Sequence, residues 1–525
     1  MAISALISRV LGIIRDWLLA KTFGAGPDLD AYFAAFRIPD FVFNILIVGG
    51  VTVAFLPLFS EYFSKNQKEA WQFTNNTLNV FLFFLIFLCL ILFIFTPSLT
   101  KLITPGFSGP QLIKTIFLTR LIFLSPVFFG LSAIFSGILQ YFNRFLVYSL
   151  CPILYNLGII FGILFLTSPF GISGVVIGVI LGAFLHFAIQ IPSAISCGFK
   201  YQPILNLKDP GIRKVFLLMI PRTFGIAVQQ INLIIIIAIA STLAAGSIAI
   251  FNFANNLQYF PIGIIGVSFA VAIFPTLSRN WAENKKEELV KNFASVLCQI
   301  LYLIIPISVL IFTLRNQIVE IILRHGQFSK LSAVLAAQSL GLFCLGIFAL
   351  SLIPVIFRVF FSLQDTKTPT LISVISMIFN IILSFYFTWL LKFENFFQTF
   401  VKNNFSLQGI EDIAVLGLPL AFSAAAIFQL VFLLIFLYKK IGSFKLREIL
   451  NSFLKILVAA IFMLFGIYSI LHFSPSIFNL QTFSGIFWQT VIVSLIGILI
   501  YLLFTFLLKS PELKVIKSKI FKNRP

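Results

Sequence analysis

The chain has 525 residues, of which 60% are hydrophobic and only 10% charged, with a mean hydropathy of +1.06. An ordinary soluble domain carries roughly a quarter charged residues, so water cannot be the solvent for most of this surface. The formal net charge of +20 does not signal nucleic acid, because the basic residues sit in short breaks between apolar runs and not on one soluble face.

Uncharged runs of about 18 or more residues, enough to cross roughly 30 Å of hydrocarbon, recur from end to end. Each is predicted as a helix, since in lipid every backbone group must be satisfied within its own segment. Met1 to Trp17 lacks a basic leader, and Arg9, Arg15 and Asp16 interrupt its apolar part. It therefore reads as a first span and not as a signal peptide. In chain order the predicted spans are 3–22, 29–57, 77–97, 115–141, 146–167, 172–194, 215–241, 247–276, 292–313, 332–361, 369–391, 413–438, 452–472 and 484–508. The expected fold class is an all-α integral membrane protein with about fourteen transmembrane helices.

An even number of spans puts both termini on one side. Lys65, Lys68, Arg144, Lys200, Lys208, Arg213, Lys214, Arg279, Lys285, Lys286, Lys291, Lys367, the cluster Lys439 to Arg447 and the tail Lys509 to Arg524 share that side. The other side has scattered cations such as Lys101, Lys114, Arg324, Lys330, Lys392 and Lys402. By the positive-inside rule both termini are expected in the cytoplasm.

Val53-Ala-Phe-Leu-Pro-Leu-Phe-Ser60 recurs as Val271-Ala-Ile-Phe-Pro-Thr-Leu-Ser278, with Ala31 and Phe33 matching Ala249 and Phe251 in the same register. Asn66, Lys68 and Glu69 then match Asn284, Lys286 and Glu287. Six spans separate the copies, so they cross the membrane in the same direction, as a parallel repeat about the membrane normal. The expected organisation is a first lobe over 1–200, a second over 201–440, and two further helices with a basic tail over 441–525. In each copy the second helix is interrupted, by Pro39, Gly49 and Gly50 and by Pro261, Gly263 and Gly266. Interruptions at corresponding positions point to hinges around a central transport site. Close packing through small residues is the alternative.

Arg15 and Asp16 lie mid-span, Arg37 and Asp40 flank Pro39, and Arg120 and Arg358 lie near helix ends. A charge at bilayer depth is costly unless it lines water or finds a partner, so these are candidate functional residues. Mutual pairing, for instance of Arg37 with Asp40, is the structural alternative. The five cysteines and three histidines are scattered without ligand spacing, so no metal or cofactor is expected. There is no GxxxxGK[ST] stretch, which argues against ATP hydrolysis and leaves the membrane potential or a gradient as driving force.

Several motifs occur in a fixed order: Ser8-Arg-Val-Leu-Gly12 with Arg15-Asp16, Phe23-Gly-Ala-Gly26, Asp30-Ala-Tyr-Phe33, Phe36-Arg-Ile-Pro39 and Ala54-Phe-Leu-Pro57. Ser136-Gly-Ile-Leu139, Asn143-Arg-Phe145, Pro152-Ile-Leu154 with Asn156, Phe260-Pro-Ile-Gly263 and Gln364-Asp-Thr-Lys-Thr-Pro369 follow. In order and spacing this set resembles the MurJ/MviN family of lipid II flippases. The resemblance implies a monomeric transporter, not an enzyme, in the bacterial cytoplasmic membrane. It would move an undecaprenyl-linked disaccharide-pentapeptide pyrophosphate between leaflets by alternating access around a cationic cavity. The last two helices would form a groove for the polyprenyl tail.

The resemblance implies substrate contacts at Arg9, Arg15 and Asp30; Arg37, as a charge at bilayer depth, and Asn255 and Asn256, at the family's site on the eighth span, are further candidates. Arg is suited to phosphate because its planar fork presents paired donors. Two basic positions of the family are replaced here by Phe43 and Asn256, and an acidic one by Val48. Arg222 is an extra cation that either compensates or reaches back to the surface. The rival expectations are export of another polyprenyl-pyrophosphate oligosaccharide or of small cationic drugs, and a non-transporting membrane scaffold.

Overall fold

A computed structural model describes residues 2–473 and 478–513. Among them, eleven helices are long and apolar enough to cross a membrane. With α1 (Ala2–Phe23) set before them, they are α2 (Pro27–Val48), α3 (Gln67–Ile103), α4 (Gly109–Tyr141), α5 (Phe145–Phe170) and α6 (Ile172–Ser196). After α7 (Pro210–Ser241) come α8 (Ser247–Ala282) and α9 (Lys286–Thr313). A bent pair, Lys330–Cys344 and Ile347–Ser362, meets at 46° and forms a twelfth span, α10. The set closes with α11 (Lys367–Lys392), α12 (Ala414–Ile441), α13 (Leu446–Phe473) and α14 (Phe483–Leu507).

The two predicted spans outside the apolar set, 3–22 and 215–241, coincide with α1 and α7. The first carries Arg9, Arg15, Asp16 and Lys21, and the second has only a shorter apolar part, Gly225–Ser241. Every predicted span thus has its helix, consistent with fourteen crossings, and the protein is a multi-pass membrane protein.

The chain divides into two compact units, one of residues 1–249 with His325–Phe328, the other of 250–324 with 329–525. The repeat places the start of the second lobe near 201, whereas packing groups α7 with α1–α6; the first boundary follows sequence symmetry and the second follows contact.

In the first unit, the repeated Val53–Ser60 sequence continues α2 as the helix Thr52–Lys65 and buries its aromatic face. Phe55 stacks on Phe73 with centroids 5.9 Å apart, and Phe59 meets Tyr141 edge-on at 5.1 Å. Stacked and edge-on pairs of this kind add to plain area burial. Asn75 and Asn76 on α3 bind the connector to α7 with both amide groups. Asn75 donates to the Lys200 carbonyl at 2.9 Å and accepts from the Gln202 N–H at 2.9 Å, and Asn76 does the same for Asn206 at 3.0 and 2.7 Å. These buried side chains satisfy their own amides on the backbone of an exposed loop and pin it to α3.

α5 and α6 meet through glycine. A β-carbon on Gly158 would lie 2.4 Å from the Gly182 Cα, and one on Gly162 would lie 2.7 Å from the Gly178 Cα. Small residues permit this approach, which is the usual way for helices to associate in lipid, where apolar burial gives no drive.

In the second unit, α13 and α14 pack against α9. Tyr501 donates to the Tyr302 carbonyl at 2.8 Å, and Phe462 stacks on Phe504 at 4.0 Å. The buried Glu512 carboxylate, just beyond α14, accepts from Ser452 Oγ at 2.5 Å and from Ser510 Oγ.

Candidate functional site

Both interrupted helices depart from regular α geometry where the sequence marks them. α2 widens into a π-helix over Phe43–Val51, which contains Gly49 and Gly50 and follows Pro39. α8 does so over Ile262–Gly266, immediately after Pro261 and including Gly263 and Gly266. Proline removes a backbone donor and clashes with the preceding turn, and π-turns accommodate the displaced bonds, often at functional sites. Packing contributes as well: a β-carbon on Gly266 would meet the Ser351 Cα of α10 at 2.7 Å.

The intramembrane charges of the first unit gather where α1, α2 and α5 carry polar residues. Arg15 donates through Nε and Nη2 to Asp16 Oδ1, at 3.0 and 2.8 Å, and through Nη1 to Asn156 Oδ1 at 3.3 Å. Asn156 in turn donates to the Ser8 carbonyl at 3.2 Å and to the Pro152 carbonyl at 3.1 Å, tying α5 to α1. The Arg15 side chain keeps 24% of its surface accessible while Asp16 keeps 10%. The three bonds thus engage every guanidinium nitrogen, and two of the five N–H donors, one on each Nη, are left over.

Tyr32 and Tyr155 interact electrostatically with Arg15. Arg37 and Asp40 interact with each other, and the field of Asp40 reaches both tyrosines. Charges that would be prohibitive alone in hydrocarbon are thereby arranged as a mutually compensated group. Arg9 is half-buried on α1, two turns before the group.

Asp30 does not join this group. Its carboxylate is 2% exposed and accepts from the backbone N–H groups of Gly246 at 2.6 Å and Ala249 at 2.9 Å. It caps the start of α8, where the first N–H groups have no partner within the helix, and its oxygens are consumed there.

Asn255 accepts from Gln258 Nε2 at 2.9 Å, and Asn256 is exposed. Phe43 packs against Phe129, with centroids 4.9 Å apart, as an ordinary core residue. The side chain of Arg222 lies outside the described residues, as does the tail beyond Leu513. Arg120 and Arg358 stack on Phe93 and Phe274 at 4.9 and 5.0 Å, geometries in which an aromatic face stabilises the cation.

Sequence reasoning overlooked Tyr32, Tyr155 and Asn156 as site residues, although Tyr32 and Asn156 stand inside motifs already singled out. It also overlooked a buried polar chain between α4 and α6, in which Ser132 bonds His186 Nδ1 at 2.8 Å and Ser136 donates to Gln190 Oε1 at 2.9 Å. Isolated hydroxyls and amides in apolar runs give little signal.

A family model described as lipid II flippase MurJ matches residues 19–488. A probable lipid II flippase MurJ from Buchnera aphidicola subsp. Schizaphis graminum is 30% identical over 509 residues, covering 95% of this chain and 94% of the relative. The corresponding protein of Vibrio cholerae is 31% identical over 399 residues, 73% of this chain and 75% of its own. A solved structure of lipid II flippase MurJ in an inward closed conformation superposes with a TM-score of 0.77 at 27% identity, covering 96% of this chain and 97% of that one. An inward-facing multidrug resistance MATE transporter of the MOP superfamily gives a TM-score of 0.70 at 12% identity, over 83% of this chain and 95% of that one; this likeness concerns the fold alone. Matched along nearly its whole length by model, relative and structure, the chain belongs to the MurJ family of lipid II flippases.

Proposed function

We propose that this chain carries lipid II from the inner to the outer leaflet of the bacterial cytoplasmic membrane by alternating access, with the pyrophosphate bound by the cations of the first unit. The observation that carries the reading is Arg15: a guanidinium inside a spanning helix, oriented through all three nitrogens by Asp16 and Asn156, with two of its five N–H donors left for a ligand. A pyrophosphate cannot cross hydrocarbon unaided, and a forked cation matches its oxygens.

In this reading Arg37 and Arg9 extend the cationic surface, and Asp16 and Asp40 keep it from standing as bare charge when substrate is absent. The bends at Phe43–Val51 and Ile262–Gly266 serve as hinges. Both termini face the cytoplasm, as the distribution of lysine and arginine favours, and the chain works as a monomer without catalysing a chemical step. The test is complementation of a bacterium depleted of its own flippase: growth and normal shape are expected. Failure despite good expression and insertion would shift the substrate to another polyprenyl-pyrophosphate oligosaccharide.

A further inference from the structure

α11 and α12 of the second unit pack side by side, and Gln429 Nε2 donates to Ser373 Oγ across them at 3.1 Å. Between them lies a cavity of about 440 Å³, lined chiefly by Lys367, Leu371 and Ile375 of α11 and by Phe428, Phe432 and Phe436 of α12. These residues recur every four positions, so each helix offers one continuous stripe. At 1.5 Å per residue the stripes run about 12 Å. Leu371, Ile375 and Phe436 are exposed, so the groove opens on the surface that lipid covers. Rings stand at the end away from Lys367, with Phe379 stacked on Phe428 at 4.4 Å and Phe428 against Phe432 at 4.3 Å.

The mouth is chemically different. Lys367 stands at the start of α11, and Lys439 lies 5.4 Å from the Phe436 ring. Neither is in an ion pair among the described residues. The nearby Asp365 cannot serve them, since its carboxylate is taken by Lys440 at 2.6 Å and by Thr368 Oγ1 at 2.7 Å. Two ammonium groups without an ion pair among the described residues, one of them resting on the Phe436 ring, therefore stand at one end of an apolar groove about half an acyl chain long.

We propose that this groove is a binding site for one anionic phospholipid, its phosphate between Lys367 and Lys439 and the upper part of one acyl chain against Phe432 and Phe436. A hydrocarbon tail gains little by leaving other tails, so occupancy is decided by the headgroup, and a neutral lipid has no reason to stay. A polyprenyl chain, far longer than the groove, would meet the Phe379–Phe428 stack. The site itself does not depend on the transport reading; its assignment to the cytoplasmic leaflet rests on the orientation proposed above.

The full chain, purified and incubated with equimolar phosphatidylglycerol and phosphatidylcholine, is to be examined by native mass spectrometry. The wild type should retain phosphatidylglycerol about tenfold or more over phosphatidylcholine, as two lysines at a lipid surface imply. The surface double variant Lys367→Gln/Lys439→Gln should bring the ratio to parity with unchanged melting, and Ile375→Trp should remove both lipids by filling the groove. Equal retention by the wild type, or an undiminished preference in the double variant, would overturn the site. Displacement of phosphatidylglycerol by equimolar undecaprenyl phosphate would instead make the occupant a polyprenyl chain, and the proposal would fall. If the preference holds but a thiol introduced as Ser443→Cys is labelled from outside intact cells, the site stands and the orientation fails.

Discussion

In α2 the π-helical stretch Phe43–Val51 follows a turn bearing Arg37 and Asp40; in α8 the stretch Ile262–Gly266 follows a turn bearing Asn255, Asn256 and Gln258. The two helices are copies of one repeat, so the bend is common and the charge is not. Amides can bond within their own helix, as Gln258 does to Asn255, and bury at modest cost. Guanidinium and carboxylate need each other or a polar cavity. Both copies keep the bend, whereas the paired intramembrane charges stand only in the first of them.

The comparison can be broken most severely at the shared bend. Gly266→Leu would drive a side chain into the Ser351 backbone of α10, an overpacking expected to cost more than about 3 kcal/mol. Folded protein should fall sharply in size-exclusion profiles; normal yield would show that the bend is not held by packing. Next in size is Asp30→Ala, which leaves two buried N–H groups at the start of α8 without their acceptor, at about 1–3 kcal/mol each. Thermal melting should drop accordingly, and Asp30→Asn, which keeps one acceptor oxygen, should recover about half of the loss.

Much of this was readable in advance. Hydropathy located the eleven apolar helices and the bent pair of α10, because lipid forces apolar length and internal hydrogen bonding together, and Pro39 and Pro261 marked both bends. The role of Asp30 was not readable, because its partners Gly246 and Ala249 lie 216 and 219 positions away. The hold of Asn156 on Arg15, across 141 positions, was hidden likewise. An aspartate reads the same whether it awaits a ligand or caps a distant helix; only folding distinguishes them.

Smaller effects sharpen the contrast between the copies. Asn256→Arg, which gives α8 a cation at an exposed position, should fold normally and tighten lipid II binding by up to about tenfold, within the range for a hydrogen bond to a charged group. Weaker binding would mean that this face of α8 does not meet the pyrophosphate. The smallest effect belongs to Asp365 in the α10–α11 connector. Partial burial would raise its pKa, but the hydrogen bonds from Lys440 and Thr368 outweigh that and bring it down to about 2 from the ordinary 3.8. Its contribution is therefore full above the ordinary value and lost as pH falls through about 2. Lys440→Ala should cost less than about 1 kcal/mol, since that lysine is exposed, and should weaken this acid dependence of melting, leaving the part due to Thr368.

The most direct test concerns Arg15 and Asp16 together. Arg15→Ala alone would strand a buried carboxylate, a loss of about 3–5 kcal/mol that confuses folding with binding. The double variant Arg15→Gln/Asp16→Asn removes both charges and leaves amides able to bond Asn156. Flipping of labelled lipid II in proteoliposomes should then fall by about a hundredfold or more, the worth of two charge-assisted bonds, while melting stays close to that of the parent chain. Flipping at the parent rate in this double variant would show that Arg15 is only a structural partner of Asp16 and would contradict the assignment of the pyrophosphate to the first unit.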